Sequence, residues 1–536
     1  MRVTSIVAAG KPPGYLAPPM LPALDLAIVI AYLVITVAVG VWFGRNVKGA
    51  SHFMVAGRSL GTWLALATLT GSELALITIM YSAQKGFTGG FAAFHIAVVA
   101  GIVALCVGMT VFVVGPLRRI GVVTVPEYYE KRFDKRTRVI GGILLTCGGV
   151  LNFGLFLKVG ADFVVGVTGL DPKGNALVLV MLGLMAIVLF YTMLGGMVSV
   201  VLTDYVQFVI VAIGLLALVW LGWSRFGWDE LVRVVKETRA EPGFNPMVEG
   251  SGFGPAYVSW QAVLGLVSCA IWPTSVARAL AARDVKVVRA QFLMASITFT
   301  IRFLLPYFIG ICAFVWLVKQ GATFSHAPNE AKAIGATLAK PNGFTLPGQE
   351  PLGSLLAFPI YVKHTVPSGL LGLVIASMLA AFMSNLSSYL ITWASSITRD
   401  VVAPFAKGGL SPKSEIGLTR LFVLLVGAWL VAFGLFFDPG TDVWDYLGIT
   451  GAIYFTGAIP VLVLGIYWKG ASAAGAVGAL LCGFSALLGL KPIQGWIGLD
   501  VPEAWVGLGT LTLAVTVMIV LSLLVPDRKP GMEGRA

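Results

Sequence analysis

Apolar runs recur along the chain from Leu24 to Leu524, interrupted mostly by short polar stretches and by two long ones, 224–256 and 319–366. A helix needs about 20 mostly apolar residues to cross the hydrocarbon layer of a bilayer. The pattern therefore predicts about thirteen transmembrane helices, near 23–44, 61–83, 90–114, 139–168, 174–193, 198–223, 257–280, 288–318, 367–398, 417–437, 444–467, 471–490 and 503–525. No polar linker divides the chain, so it reads as one all-α integral membrane protein rather than a string of soluble domains. An odd number of crossings puts the two termini on opposite sides.

Composition removes the soluble alternatives. Of the 536 residues 57% are hydrophobic and 12% charged, against about 25% charged in an ordinary soluble domain. The formal charge of +12 would suggest nucleic acid in a soluble protein, but in a membrane protein it first reports orientation. With the N-terminus outside, 22 of the 37 cations fall in or beside inner loops and 11 in outer ones. Eight of those 11 lie in the two longest loops, where they say least about topology. The expectation is N-out and C-in, in the plasma (inner) membrane, with no nucleic-acid partner. Residues 1–22 lack the compact apolar core and cleavage site of a signal peptide. The five cysteines sit in apolar runs without paired spacing, and the four histidines are scattered. Neither a disulfide framework, a transition-metal site nor an enzyme's catalytic constellation is expected.

Two helices carry breaks. A break in the bilayer frees backbone polar groups that lipid cannot satisfy, so it must line a cavity or be buried in protein. The helix at 61–83 has Gly71-Ser72-Glu73 at its middle; five helices later, 257–280 has Ser268 and then Trp272-Pro273-Thr274. Breaks at matching positions of two half-sequences point to a transporter's binding site, the alternative being two ordinary kinks relieved by neighbouring helices, and sets with an odd number of spans insert in opposite senses. Ionisable residues at this depth cost about 2.5–3.5 kcal/mol or more and normally face a partner or a wet pathway. Glu73 is one; Asp204 is either an ion ligand or an interfacial cap. Lys158 and Asp162 share a helix face and are expected to neutralise each other. Arg302 has no acid within a turn, so it needs a partner from another helix or from a substrate carboxylate. The helix at 367–398 bears hydroxyls including Ser384, Ser388 and Ser395, which serve equally as packing glue or as ligands for a hard cation.

Tyr191-Thr192-Met193-Leu194-Gly195-Gly196, with Val200 and Thr203-Asp204-Tyr205-Val206-Gln207, resembles the YTxxGGxxxVxxTDxxQ signature of the sodium/solute symporter family. Residues 53–60 (FMVAGRSL), 124–133 (TVPEYYEKRF), 277–284 (ARALAARD), 380–388 (AAFMSNLSS), 396–400 (SITRD) and 464–469 (LGIYWK) agree in the same order. The resemblance implies a five-plus-five inverted-repeat, LeuT-like core, with one extra helix before it and two after. On that division 1–22 is an outside tail, 23–44 the extra helix, 61–223 the first repeat, 257–467 the inverted second, 471–525 two further helices, and 526–536 a cytoplasmic tail. It also implies sodium-coupled uptake of a small molecule by alternating access. Carried over by motif, the sodium ligands are carbonyls of Gly71 and Leu74 with Ala381, Ser384 and Asn385, where Asn385 replaces the family's usual second serine or threonine. Glu73 and Asp204 fall at positions tied to ion coupling or release. Glu73, Trp272 and Arg302 fall in the substrate region, and Trp272 replaces the asparagine of sugar-transporting members. These residues point to a small polar solute, preferably one with a carboxylate near Arg302. The competing readings are a proton-coupled symporter using Glu73 and a transporter-like membrane sensor, although the sequence offers no soluble signalling domain.

Overall fold

A computed structural model describes residues 21–44, 61–170, 175–249, 252–326, 341–406, 409–438 and 441–527. The chain order is α1 (Ala23–Gly44), α2 (Thr62–Glu73), α3 (Leu76–Gly89), α4 (Phe94–Thr110), α5 (Val114–Ile120), α6 (Val125–Arg132), α7 (Lys135–Phe153) and α8 (Phe156–Thr168). It continues with α9 (Asn175–Arg239), α10 (Pro255–Ala270), α11 (Pro273–Ala281), α12 (Val285–Lys319) and α13 (Ala357–Thr365). The last elements are α14 (Leu370–Ser396), α15 (Pro412–Phe436), α16 (Val443–Tyr467), α17 (Ala473–Cys482), α18 (Lys491–Ile497) and α19 (Glu503–Leu524). Among the described residues nine helices are long and apolar enough to cross a membrane, or ten if the pair bent by 81° around Leu490 counts as one.

Burial sorts these helices. The windows in α12, α14 and α16 are 78%, 89% and 78% buried, whereas those in the second part of α9 and in α19 are 28% buried. The former make the centre of the bundle, and the latter turn apolar side chains such as Trp220 and Leu524 outward. Lipid tails provide no hydrophobic drive between helices, so close association comes from packing of small residues. Gly86 lies against the Tyr307 backbone and Gly310 against the Ala83 carbonyl, which lets α3 and α12 meet backbone to backbone.

Several expected elements differ in detail. The crossing expected at 139–168 is interrupted between α7 and α8, where Gly154 and Leu155 separate Asn152 and Phe153 from the next helix. The two helices expected at 174–193 and 198–223 form one helical run of 65 residues, α9. At about 1.5 Å per residue a straight run of that length far exceeds a bilayer's thickness. Its ends also pack differently: Met181 and Leu189 lie on Gly434 and Gly427 of α15, while Trp223 and Glu230 meet Phe308 and Lys319 of α12. The run thus holds two apolar segments, Asn175–Phe190 and Val209–Arg239. The helix expected at 471–490 gives way to a 3-10 turn over Gly483–Gly489. The all-α expectation also misses a small antiparallel sheet outside the bundle, β1 (Thr323–His326), β2 (Pro341–Thr345) and β3 (Leu352–Gly353), in the order β1-β2-β3.

Candidate functional site

The first helix break falls at Leu74–Ala75. Leu74 donates its amide to the Thr70 carbonyl and ends α2, Ala75 is extended (φ −96°, ψ 162°), and α3 starts afresh at Leu76. The second falls at Ile271–Trp272, where Pro273 cannot supply an amide and opens α11. These breaks meet: α2 packs on α11, and their polar groups bond directly. One Glu73 oxygen accepts from the hydroxyls of Thr274 at 3.1 Å and Ser275 at 3.3 Å. The other accepts from Arg302 Nη1 at 2.8 Å. Arg302 comes from the middle of α12 and is 4% exposed, with its guanidinium over the rings of Phe299 and Phe303 at 4.0 and 4.6 Å. A buried cation normally needs such a partner, and Arg302 finds it inside the protein.

Of the two partners open to Arg302, one from another helix or a substrate carboxylate, the structure shows the first. A substrate carboxylate would have to displace Glu73, and the guanidinium does not line the main cavity. This cavity, of about 100 Å³, is walled by Glu73, Asn152, Ser268, Trp272, Asn385 and a set of aromatic rings. Arg302 borders a smaller recess of about 10 Å³ with Ser268, Gln261 and Trp444. Trp272 does line the main cavity, donating its indole N–H to Tyr389 at 3.0 Å.

The other expected site residues are placed as follows. Gly71 lies in the last turn of α2, and Leu74 is buried at the break. Ala381, Ser384 and Asn385 are buried on α14, and their i, i+3, i+4 spacing puts them on one face. Helix α14 packs on both α2 and α3, and Asn385 shares the cavity wall with Glu73 and Ala75. Asp204 lies within the backbone of α9, but its side chain is outside the described residues, as is the segment 53–60. Lys158 and Asp162 lie one turn apart on α8, and Lys158 is the charge that acts on the Asp162 carboxylate.

Other participants carry little signal in the sequence. Asn152 enters the cavity wall from the end of α7, while its amide donates to the Leu447 carbonyl at 2.7 Å and Thr450 at 3.2 Å. Tyr81, Phe156, Tyr389, Trp444 and Phe455 supply rings, but in the sequence they are indistinguishable from core aromatics. Lys85, expected in an outer loop, is instead fully buried. Its ammonium bonds Asp442 at 3.0 Å and Asp445 at 2.8 Å, and Tyr257 donates to Asp445 at 2.9 Å. The polar run Ser82-Gln84-Lys85 looks like the end of a span only until these distant partners are known.

Residues 53–483 match the sodium:solute symporter family. The chain is 24% identical to a sodium/glucose cotransporter of Vibrio parahaemolyticus, covering 93% of this chain and 90% of that protein. It is 23% identical to the sodium/sialic acid symporter SiaT of Proteus mirabilis, with 95% and 97% covered. A substrate-bound, outward-open Na+-coupled sialic acid symporter superposes with a TM-score of 0.76 at 18% identity, covering 95% of this chain and 99% of that one. The similarity thus spans both helix breaks and the hydroxyl-bearing α14, and the chain belongs to the sodium:solute symporter family, a family of sodium-coupled transporters rather than enzymes.

Proposed function

We propose that this protein is a secondary active symporter of the plasma membrane that imports a small polar organic solute with sodium by alternating access. The observation that carries this reading is the meeting of two broken helices at a buried charged pair beside a cavity, with a hydroxyl-bearing helix packed across the first break. Broken helices are tolerated at this depth where they line a ligand site. The core is two inverted five-helix repeats, 61–223 and 257–467, preceded by one helix and followed by two, about thirteen crossings in all. The bond from Thr274 to Glu73 supports this division, because it joins the first helix of one repeat to the first of the other.

Sodium binds between the carbonyls of Gly71 and Leu74 and the oxygens of Ala381, Ser384 and Asn385. These are the hard oxygen donors that an alkali cation requires. An ion bridging α2 and α14 ties the two walls of the cavity together, so Glu73 and Asn385 present one arrangement to the solute. Asp204 serves ion release toward the inner side. One sodium moving down about 100 mV supplies about 2.3 kcal/mol, and a tenfold gradient adds about 1.4 kcal/mol, enough to sustain a solute gradient of several hundredfold.

The test is uptake into proteoliposomes under imposed sodium or proton gradients. Uptake is expected to follow sodium, and Ser384→Ala is expected to raise the sodium concentration needed for half activation by at least several-fold. Uptake that ignores sodium but follows the proton gradient would transfer the coupling role to Glu73. An unchanged sodium dependence in Ser384→Ala would remove the assigned sodium site.

A further inference from the structure

The cavity wall is unbalanced between hydrogen-bond donors and acceptors. Its two indole N–H groups are both spent, Trp272 on Tyr389 at 3.0 Å and Trp444 on Gln261 at 3.1 Å. Asn152 uses its amide N–H groups on Leu447 and Thr450. Because the Leu447 carbonyl only accepts, the orientation of this amide is fixed. Thr78 donates to the Glu73 carbonyl at 3.0 Å. What these residues still offer are acceptors: the Asn152 amide oxygen and the Glu73 carboxylate, whose counter-ion Arg302 sits behind it and off the wall.

Charge and ring geometry point the same way. The lining contains no lysine, arginine or histidine, and its one ionisable acid is Glu73. The Glu73–Arg302 pair is therefore a dipole with its negative end toward the cavity. Around it stand the rings of Tyr81, Phe156, Trp272, Tyr389, Trp444 and Phe455, with Tyr81 and Trp444 at 4.9 Å and Phe156 and Tyr389 at 5.2 Å between centroids. Aromatic faces carry negative potential and attract cations, most strongly when desolvated. An anion in this space meets no side-chain cation, and a sugar hydroxyl finds few free donors. The hydroxyls of Tyr81, Ser268 and Tyr389, the last an acceptor toward Trp272, and the first-turn amides of α3, which have no intrahelical acceptor, leave room for one polar tail.

We propose that the cavity binds a small solute carrying a cationic nitrogen, either a protonated amine or a quaternary ammonium. This rests on the reading of the cavity as the symporter's solute site. The test uses the purified full-length protein in saturating sodium, titrated by intrinsic tryptophan fluorescence and thermal shift. The probes are ethanolamine, choline and glycine betaine, set against 3,3-dimethylbutan-1-ol, the uncharged isostere of choline, and against pyruvate and glucose. At least one cationic probe is expected to bind tenfold or more tighter than the isostere. Ethanolamine ahead of choline assigns the preference to N–H donation toward Glu73 and Asn152, and the reverse order assigns it to the rings. Glu73→Gln unpairs Arg302 and can unfold the protein, so the variant chosen is Trp444→Leu, expected to weaken the preferred cation at least fivefold. An isostere within twofold of the tightest cationic probe, a preference for pyruvate or glucose, or no response to any cationic probe overturns the proposal. If pyruvate or glucose binds and sodium tightens it, the symport reading survives and the cation class falls. If a cation binds without any effect of sodium on binding or uptake, the class stands and the symport reading falls.

Discussion

Glu73 and Arg302 settle the charge at the centre of the bundle by cancelling each other, and their pairing can be weighed by mutation. Removing one partner of a buried ion pair leaves the other uncompensated and typically costs about 3–5 kcal/mol, whereas replacing both with neutral groups costs far less. Arg302→Met is therefore expected to lower the thermal midpoint of the purified protein markedly, and Glu73→Gln with Arg302→Met to recover most of that loss. Midpoints that simply add would show that the two residues are not coupled. Transport separates the roles, since the double variant is expected to be folded but inactive. Arg302's need for a partner was legible in the sequence, but which acid met it was not, because Glu73 lies 229 positions away. The same distance effect hid the surroundings of Lys85, whose acids are 357 and 360 positions along the chain.

Pairs of helices are held by how closely their backbones approach, and α3 against α12 is the tightest test. A methyl group on Gly86 would meet the Tyr307 carbonyl, and one on Gly310 would meet the Ala83 carbonyl. Both obstacles are backbone and cannot swing aside. Gly310→Ala is expected to cost about 1–3 kcal/mol, as overpacking does, and to shift α3, which carries Thr78 and Tyr81 to the cavity. Gly183→Ala in α9 and Gly509→Ala in α19 meet nothing within 4 Å and are expected to be neutral, or slightly stabilising through helix propensity. Equal destabilisation by all three in thermal unfolding would contradict the close approach. The break in α2 was readable because Gly71-Ser72-Glu73 puts a flexible residue and an acid inside an apolar run. The break between α7 and α8 offered only Asn152 and Gly154. The aromatic wall offered nothing, since a ring facing a cavity and a ring in a packed core have the same hydrophobic pattern.

The orientation of the whole protein rests on where the cations lie, and this can be tested without knowing the solute. Lys and Arg concentrate in the loops assigned to the inside, as the translocation bias on short loops requires. Met247, 51% exposed before α10, should then face outside, and Lys413, exposed at the start of α15, should face inside. Cys106 and Cys147 are exposed on apolar helices, so the background must have Cys106, Cys147, Cys269, Cys312 and Cys482 replaced by alanine and still insert as folded protein with an unchanged thermal midpoint. In intact cells a membrane-impermeant maleimide is expected to label Met247→Cys, and to reach Lys413→Cys only after the membrane is opened. The reverse pattern would invert the topology and put the Lys85–Asp442–Asp445 cluster on the inner side of the cavity. Labelling of both sites in sealed cells would mean that the two loops share a face, which an odd number of crossings between them forbids: α10 with α11, α12 and α14 are the three spans that separate Met247 from Lys413.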